Sequence, residues 1–124
     1  MDMRIQYFLS LAAFFLTFCS PVFAQDANLG KIKFQDCIAC HSTNAGENLI
    51  GPSLFGVYGR QAGTGEGFRY SNAVKKSGVT WDANSLNQYI ENPQVFIAGG
   101  RMPYSGMADE EARKHLIAYL MTLQ

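Results

Sequence analysis

The hydrophobic pattern divides the chain in two. Residues 5–18 are almost wholly apolar and carry no period, whereas beyond residue 26 apolar positions recur at helical spacings between stretches rich in Gly, Asn, Ser and Thr. Ala27 to Asp36, with Leu29, Ile32 and Phe34, predicts a short helix in which Gly30 allows close approach of a neighbour. Ser42 to Gly67 has no lasting periodicity and reads as loop. Tyr70 to Ser77 can form two helical turns stopped by Gly78, and Asp82 can cap a helix that buries Leu86, Tyr89 and Ile90 before Asn92-Pro93 ends it. Gln94 to Met107 returns to loop. The last helix is the clearest: Asp109, Glu110 and Glu111 favour its N-terminal dipole, and Ala112, Leu116, Tyr119, Leu120 and Leu123 form one face. No repeat and no strand alternation appears, so the expected class is all-α.

Length and charge narrow the function classes. A chain of 124 residues is one domain at most, and 10 Lys+Arg balance 10 Asp+Glu, which leaves no basic surplus for nucleic acid. The apolar run at residues 5–18 follows a single Arg and precedes Val22-Phe23-Ala24, the pattern of a secretory signal peptide over residues 1–24. Pro21 argues against a longer, uncleaved anchor, and Phe18 is too bulky for lipidation at Cys19. The mature domain is then expected to be residues 25–124, exported to the periplasm without stable membrane insertion. No twin-Arg pair is present, so any cofactor would be added outside the cytoplasm.

Past that leader two cysteines remain, in Cys37-Ile38-Ala39-Cys40-His41. This C-x-x-C-H is the attachment signature of a c-type haem. Two thiols three residues apart on one helical turn can form thioethers with both vinyl groups on one porphyrin edge, which directs the His41 imidazole under the iron. Three other readings fit less well. A thioredoxin-like dithiol calls for a βαβ context and does not need His41. Zinc needs four ligands, and adjacent Cys40 and His41 could hardly share one tetrahedral ion. A structural disulfide is the third. The sixth iron ligand has four candidates. Met121 reads as core filler of the last helix, His115 as a solvated helix histidine beside Arg113 and Lys114, and Met107 as a weaker candidate. Met102 lies in Gly99-Gly100-Arg101-Met102-Pro103-Tyr104, with enough glycine to wrap over a haem face.

The ordered set Gly51-Pro52-Ser53-Leu54-Phe55-Gly56, Arg60, Gly67-Phe68-Arg69-Tyr70, Thr80-Trp81, Tyr89-Ile90-Glu91-Asn92-Pro93, Met102 and Leu116-Ile117-Ala118-Tyr119-Leu120 resembles a class I c-type cytochrome. The likeness is to mitochondrial cytochrome c and short bacterial electron carriers, from about Gly30 to the C-terminus. It implies crossed N- and C-terminal helices, Gly30 and Phe34 against Leu116 and Tyr119, with loops wrapping one covalently bound haem c. It implies His41 and Met102 as the axial pair, with the Pro52 carbonyl receiving the other imidazole N–H of His41. Tyr89 would place its hydroxyl near the Met102 sulfur, and Arg60, Tyr70 and Trp81 would surround a haem propionate. The sequence departs from those relatives in a short loop after His41 that lacks their His, in Val74 and Gly100, and in Gln94-Val95 where lysines are common.

The function so implied is a soluble periplasmic monohaem electron carrier with no catalytic residue. It would be a monomer in a respiratory chain, docking transiently with redox proteins at the haem edge. Ile38, Ala39 and Tyr104 would give that edge an apolar rim, with Arg101, Lys31 and Lys33 as scattered cations. Two alternatives are an electron-accepting partner of a periplasmic dehydrogenase, and a haem-based peroxidase or sensor with an open sixth site.

Overall fold

The computed structural model describes residues 25–124; the expected signal peptide over residues 1–24, with Cys19, lies outside the described residues. Asp26 starts the first helix, α1 (Ala27–Lys33), by accepting the backbone N–H groups of Asn28 and Leu29. A 3₁₀ turn, Phe34–Asp36, continues it into the cysteine motif. The next helix, α2 (Asn72–Lys76), is capped by Ser71 and followed by Gly78 at φ +67°. Asp82 and Ser85 form a reciprocal capping box at the start of α3 (Ala83–Glu91). Asn92 then caps α4 (Pro93–Phe96), which has Pro93 at its first position. Asp109 caps α5 (Glu110–Leu120) through the N–H groups of Glu111 and Ala112.

The α1/α5 crossing organises the domain. Gly30 is buried where α1 meets the backbone of His115 and the Cβ of Tyr119, closer than a side chain at position 30 would allow. Beside it the Phe34 and Tyr119 rings pack at 5.3 Å between centroids, over the buried Leu116. Phe34, Leu116, Leu120, Leu86, Ile90, Trp81 and Val57 belong to one apolar cluster. No strand forms among the described residues. A single antiparallel bridge joins Gln61 to Thr80, and the neighbouring bonds from Ala62 N–H to Val79 O (2.8 Å) and from Trp81 N–H to Arg60 O (2.9 Å) set Trp81 beside Arg60.

Three expectations are corrected. The stretch after Asn92-Pro93 is not all loop, because the cap and the proline that close α3 also open α4. Met121 is no core filler: it caps α5 after the helix has ended at Leu120 and is 42% exposed. His115 is not simply solvated, since its Nδ1 accepts the Asp26 backbone N–H at 2.9 Å, tying α5 to the start of α1. Leu29 and Ile32 face outward, so Gly30 and Phe34 make the buried side of the first helix.

Arg113, on the last helix, is only 4% exposed. Its guanidinium donates to Asn87 Oδ1, Met107 O and Ala108 O, each at 2.8 Å, which joins α5 to α3 and to the loop before α5. Its ion pair with the half-exposed Glu91 at 3.8 Å adds little. Arg113→Ala orphans three acceptors and is expected to lower stability by about 3 kcal/mol. Urea unfolding measures this, and a loss below about 1 kcal/mol would mean that water replaces the guanidinium.

Candidate haem site

The cysteine motif sits on one tight turn. Ile38 N–H donates to Phe34 O, and both Cys40 N–H and His41 N–H return to Cys37 O, at 3.1 and 3.0 Å. Cys37, Cys40 and His41 therefore project from a single turn, and both thiols are free and half buried. Burial, helped by the negative charge of Asp36 and Cys40, pushes the Cys37 thiol up to about 11. A redox dithiol needs a depressed thiol pKa, so this environment argues against the thioredoxin-like reading.

The loop that follows orients His41. Gly51 N–H donates to Cys40 O and Leu49 N–H to Gly51 O, which folds Gly51-Pro52 back onto the imidazole. Nδ1–H of His41 then donates to the Pro52 carbonyl at 2.7 Å. Burial lowers the pKa of His41, while the Pro52 bond pulls the other way. The ring is thus neutral, with its Nε2 lone pair left for a metal. Gly51, in the sequence only a part of the family pattern, has a role of its own here: a Cβ there would stand 2.7 Å from Nδ1 and 2.9 Å from Nε2. Only a glycine lets the chain pass so close to the ring.

Cys37, Cys40, His41, Pro52, Arg60, Tyr70, Trp81, Tyr89 and Met102 all line one cavity of about 570 Å³. Val57, Val74, Leu86, Ile90, Leu116 and Leu120 give it apolar walls, from loop, α2, α3 and α5. The other three ligand candidates do not line it. Met107 is buried in the apolar cluster, Met121 is exposed and His115 is bonded to Asp26. Arg60 donates to Phe55 O and Ser53 O, and no carboxylate pairs with it among the described residues. The Tyr70 hydroxyl accepts Gly65 N–H at 3.1 Å. Trp81 and Tyr89 pack at 4.9 Å between centroids, and burial raises the Tyr89 pKa, which keeps its hydroxyl protonated.

These residues fit a haem. The volume lies in the range of cofactor pockets. An imidazole nitrogen and a thioether sulfur are the donors of a cytochrome iron. Arg60 offers an unpaired cation to a propionate, whose burial would otherwise be costly. The walls are apolar, as a porphyrin face requires.

The family model described as cytochrome c matches residues 27–124. The chain belongs to the cytochrome c family. It is 44% identical over 102 residues to cytochrome c2 of Blastochloris viridis, covering 82% of this chain and 80% of that one. It is 42% identical over 100 residues to cytochrome c of Euglena viridis, covering 80% and 98%. Among solved structures, cytochrome cH from Methylobacterium extorquens superposes with a TM-score of 0.74 at 42% identity, over 78% of this chain and 98% of that one. The cytochrome has the all-α class I fold and carries one covalently bound haem c, in keeping with Cys37-x-x-Cys40-His41. It is a monohaem electron carrier rather than an enzyme, and such carriers dock transiently with redox partners. Among the described residues, no helix is long and apolar enough to cross a membrane.

Proposed function

We propose that this cytochrome is exported through its residues 1–24 and shuttles single electrons in the periplasm between redox proteins, with His41 and Met102 as the axial ligands. The observation that carries this reading is the shared cavity, in which a neutral imidazole, a thioether and two thiols meet apolar walls. When bound, haem c supplies one-electron exchange between ferric and ferrous iron. Cys37 and Cys40 would hold the porphyrin edge. Pro52 fixes the His41 tautomer, and Gly51 packs against the ring, so the imidazole does not turn when the charge beyond it changes. Arg60, Tyr70 and Trp81 would receive a propionate, and Tyr89, which lines the same cavity with its hydroxyl protonated, would offer that donor to the Met102 sulfur.

Docking would use the mouth of this cavity. Ile50 and Tyr104 line the cavity, Ile50 being 75% exposed, and Ile38, within the cysteine motif, is 53% exposed. Of the expected cations, Arg101 is committed to the Arg69 carbonyl at 2.6 Å. Charge over the whole chain is balanced, so long-range steering is weak and apolar contact dominates the encounter. The bimolecular rate with the native partner is therefore expected to fall less than about tenfold from low to high ionic strength. A steeper fall, measured by stopped flow, would mean that a local charged patch governs docking. A ferric absorption band from Met sulfur to iron tests the ligation itself, and ready carbon monoxide binding by the unmodified ferrous protein would favour an open-site sensor or peroxidase.

A further inference from the structure

The segment that carries Met102 has few backbone partners of its own. At one end Gly100 N–H reaches Ile97 O at 3.2 Å, and at the other Met107 N–H reaches Ile90 O at 2.9 Å. Between them, among the described residues, no backbone-to-backbone hydrogen bond involves residues 101–106. The gap is filled by one side chain. Gln94 Nε2 donates to Gly100 O at 2.9 Å and to Met102 O at 3.3 Å.

Gln94 reaches that position because of α4. Asn92 caps the turn, and Pro93 at its first position is fully buried, so the helix is anchored and Gln94 follows on a fixed backbone. A carboxamide nitrogen carries two N–H donors, enough to span two carbonyls from one atom. Arg101 secures the neighbouring residue by its bond to Arg69 O, but the bond to the backbone of Met102 itself comes from Gln94.

We infer that Gln94 is a positioning residue that clamps the Met102 segment closed over the haem cavity and sets how often that segment opens to an outside ligand. This rests on Met102 as the axial ligand proposed above. Gln94 touches neither iron nor porphyrin in this role. It acts through the Gly100 and Met102 carbonyls, holding the thioether where the cavity needs it.

The test is imidazole binding to the ferric holoprotein, since imidazole enters only when Met102 has left. Gln94→Glu keeps the shape but loses both donors and sets a carboxylate against two carbonyls. It is expected to raise apparent imidazole affinity about tenfold, the effect of losing two modest hydrogen bonds. Gln94→Arg retains N–H donors and is expected to stay within about threefold of the parent protein. Asp26→Ala removes the cap of α1 at a residue that does not line the cavity. It is expected to lower the urea midpoint without changing imidazole affinity, which separates a local clamp from general loosening. Should Gln94→Glu not assemble, Gln94→Leu, also without donors, takes its place. Unchanged affinity in the donor-less variant, or an equal rise in Asp26→Ala, overturns the clamp. Met102→Ala is run alongside: if it binds imidazole readily while Gln94→Glu does not, the ligand assignment stands and the clamp alone fails. If Met102→Ala too leaves imidazole affinity unchanged, the ligation reading fails and takes the clamp with it.

Discussion

Met102→Ala is expected to convert a closed iron site into an open one. The ferrous protein would bind carbon monoxide readily, the Met-to-iron band of the ferric protein would vanish, and the reduction potential would fall. The physical reason is substitution of a weak, soft sulfur donor by water or an added ligand. Met/His ligation raises the potential, and axial ligands span roughly 0.8 V between them. The structure makes this a single-residue effect, because Met107, Met121 and His115 do not line the cavity and cannot stand in without refolding. Met107→Ala is a sharp contrast. That side chain is buried in the apolar cluster, so its loss is expected to cost about 2–5 kcal/mol of stability while leaving the band in place. Spectra of the two variants in both oxidation states, with potentiometry, decide the matter. An unchanged band and potential in Met102→Ala would falsify the assignment.

Gly30→Ala is expected to lower stability by at least about 3 kcal/mol, although alanine is the better helix former by about 1 kcal/mol. A Cβ at position 30 would collide with the His115 carbonyl oxygen and stand 2.6 Å from its carbonyl carbon and 2.8 Å from Tyr119 Cβ. These are mainly backbone atoms and cannot rotate aside, so α1 and α5 must separate. The Phe34–Tyr119 contact and the burial of Leu116 would loosen with them. Overpacking usually costs about 1–3 kcal/mol, and more where the neighbour is main chain. The urea midpoint of the holoprotein measures it; a variant as stable as the parent would mean that the two helices are held by something other than this close approach. Because Gly30 does not line the cavity, the folded fraction should keep its normal spectrum.

What the sequence revealed follows the range of the interactions involved. The haem motif was legible because both cysteines and His41 act within one turn, where spacing is geometry. The cap at Asp82 was legible for the same reason, whereas Asp109, expected in the first turn of the last helix, is its cap. Arg60, Tyr70 and Trp81 were reached only by family resemblance, since nothing local joins positions ten and more residues apart. Their meeting depends on the loop pairing around Gln61 and Thr80. Helix α4 was missed because four residues show no period, and Asn92-Pro93 reads equally as a stop and a start. His115 looked like a surface residue because its partner, Asp26, lies 89 residues away. Gln94 stood out in the sequence only as a replacement for a common lysine: an amide on an unrecognised turn shows its bonds to the Met102 segment only once that segment lies beside it.

The central claim is that one haem is bonded to this chain through Cys37 and Cys40. The direct measurement is the intact mass of the protein purified from cells competent for cytochrome maturation, taken after acid-acetone extraction. The expected result is a chain starting at Gln25 that still carries the mass of one haem and has no titratable thiol. A haem-free chain with Cys37 and Cys40 joined in a disulfide would contradict it.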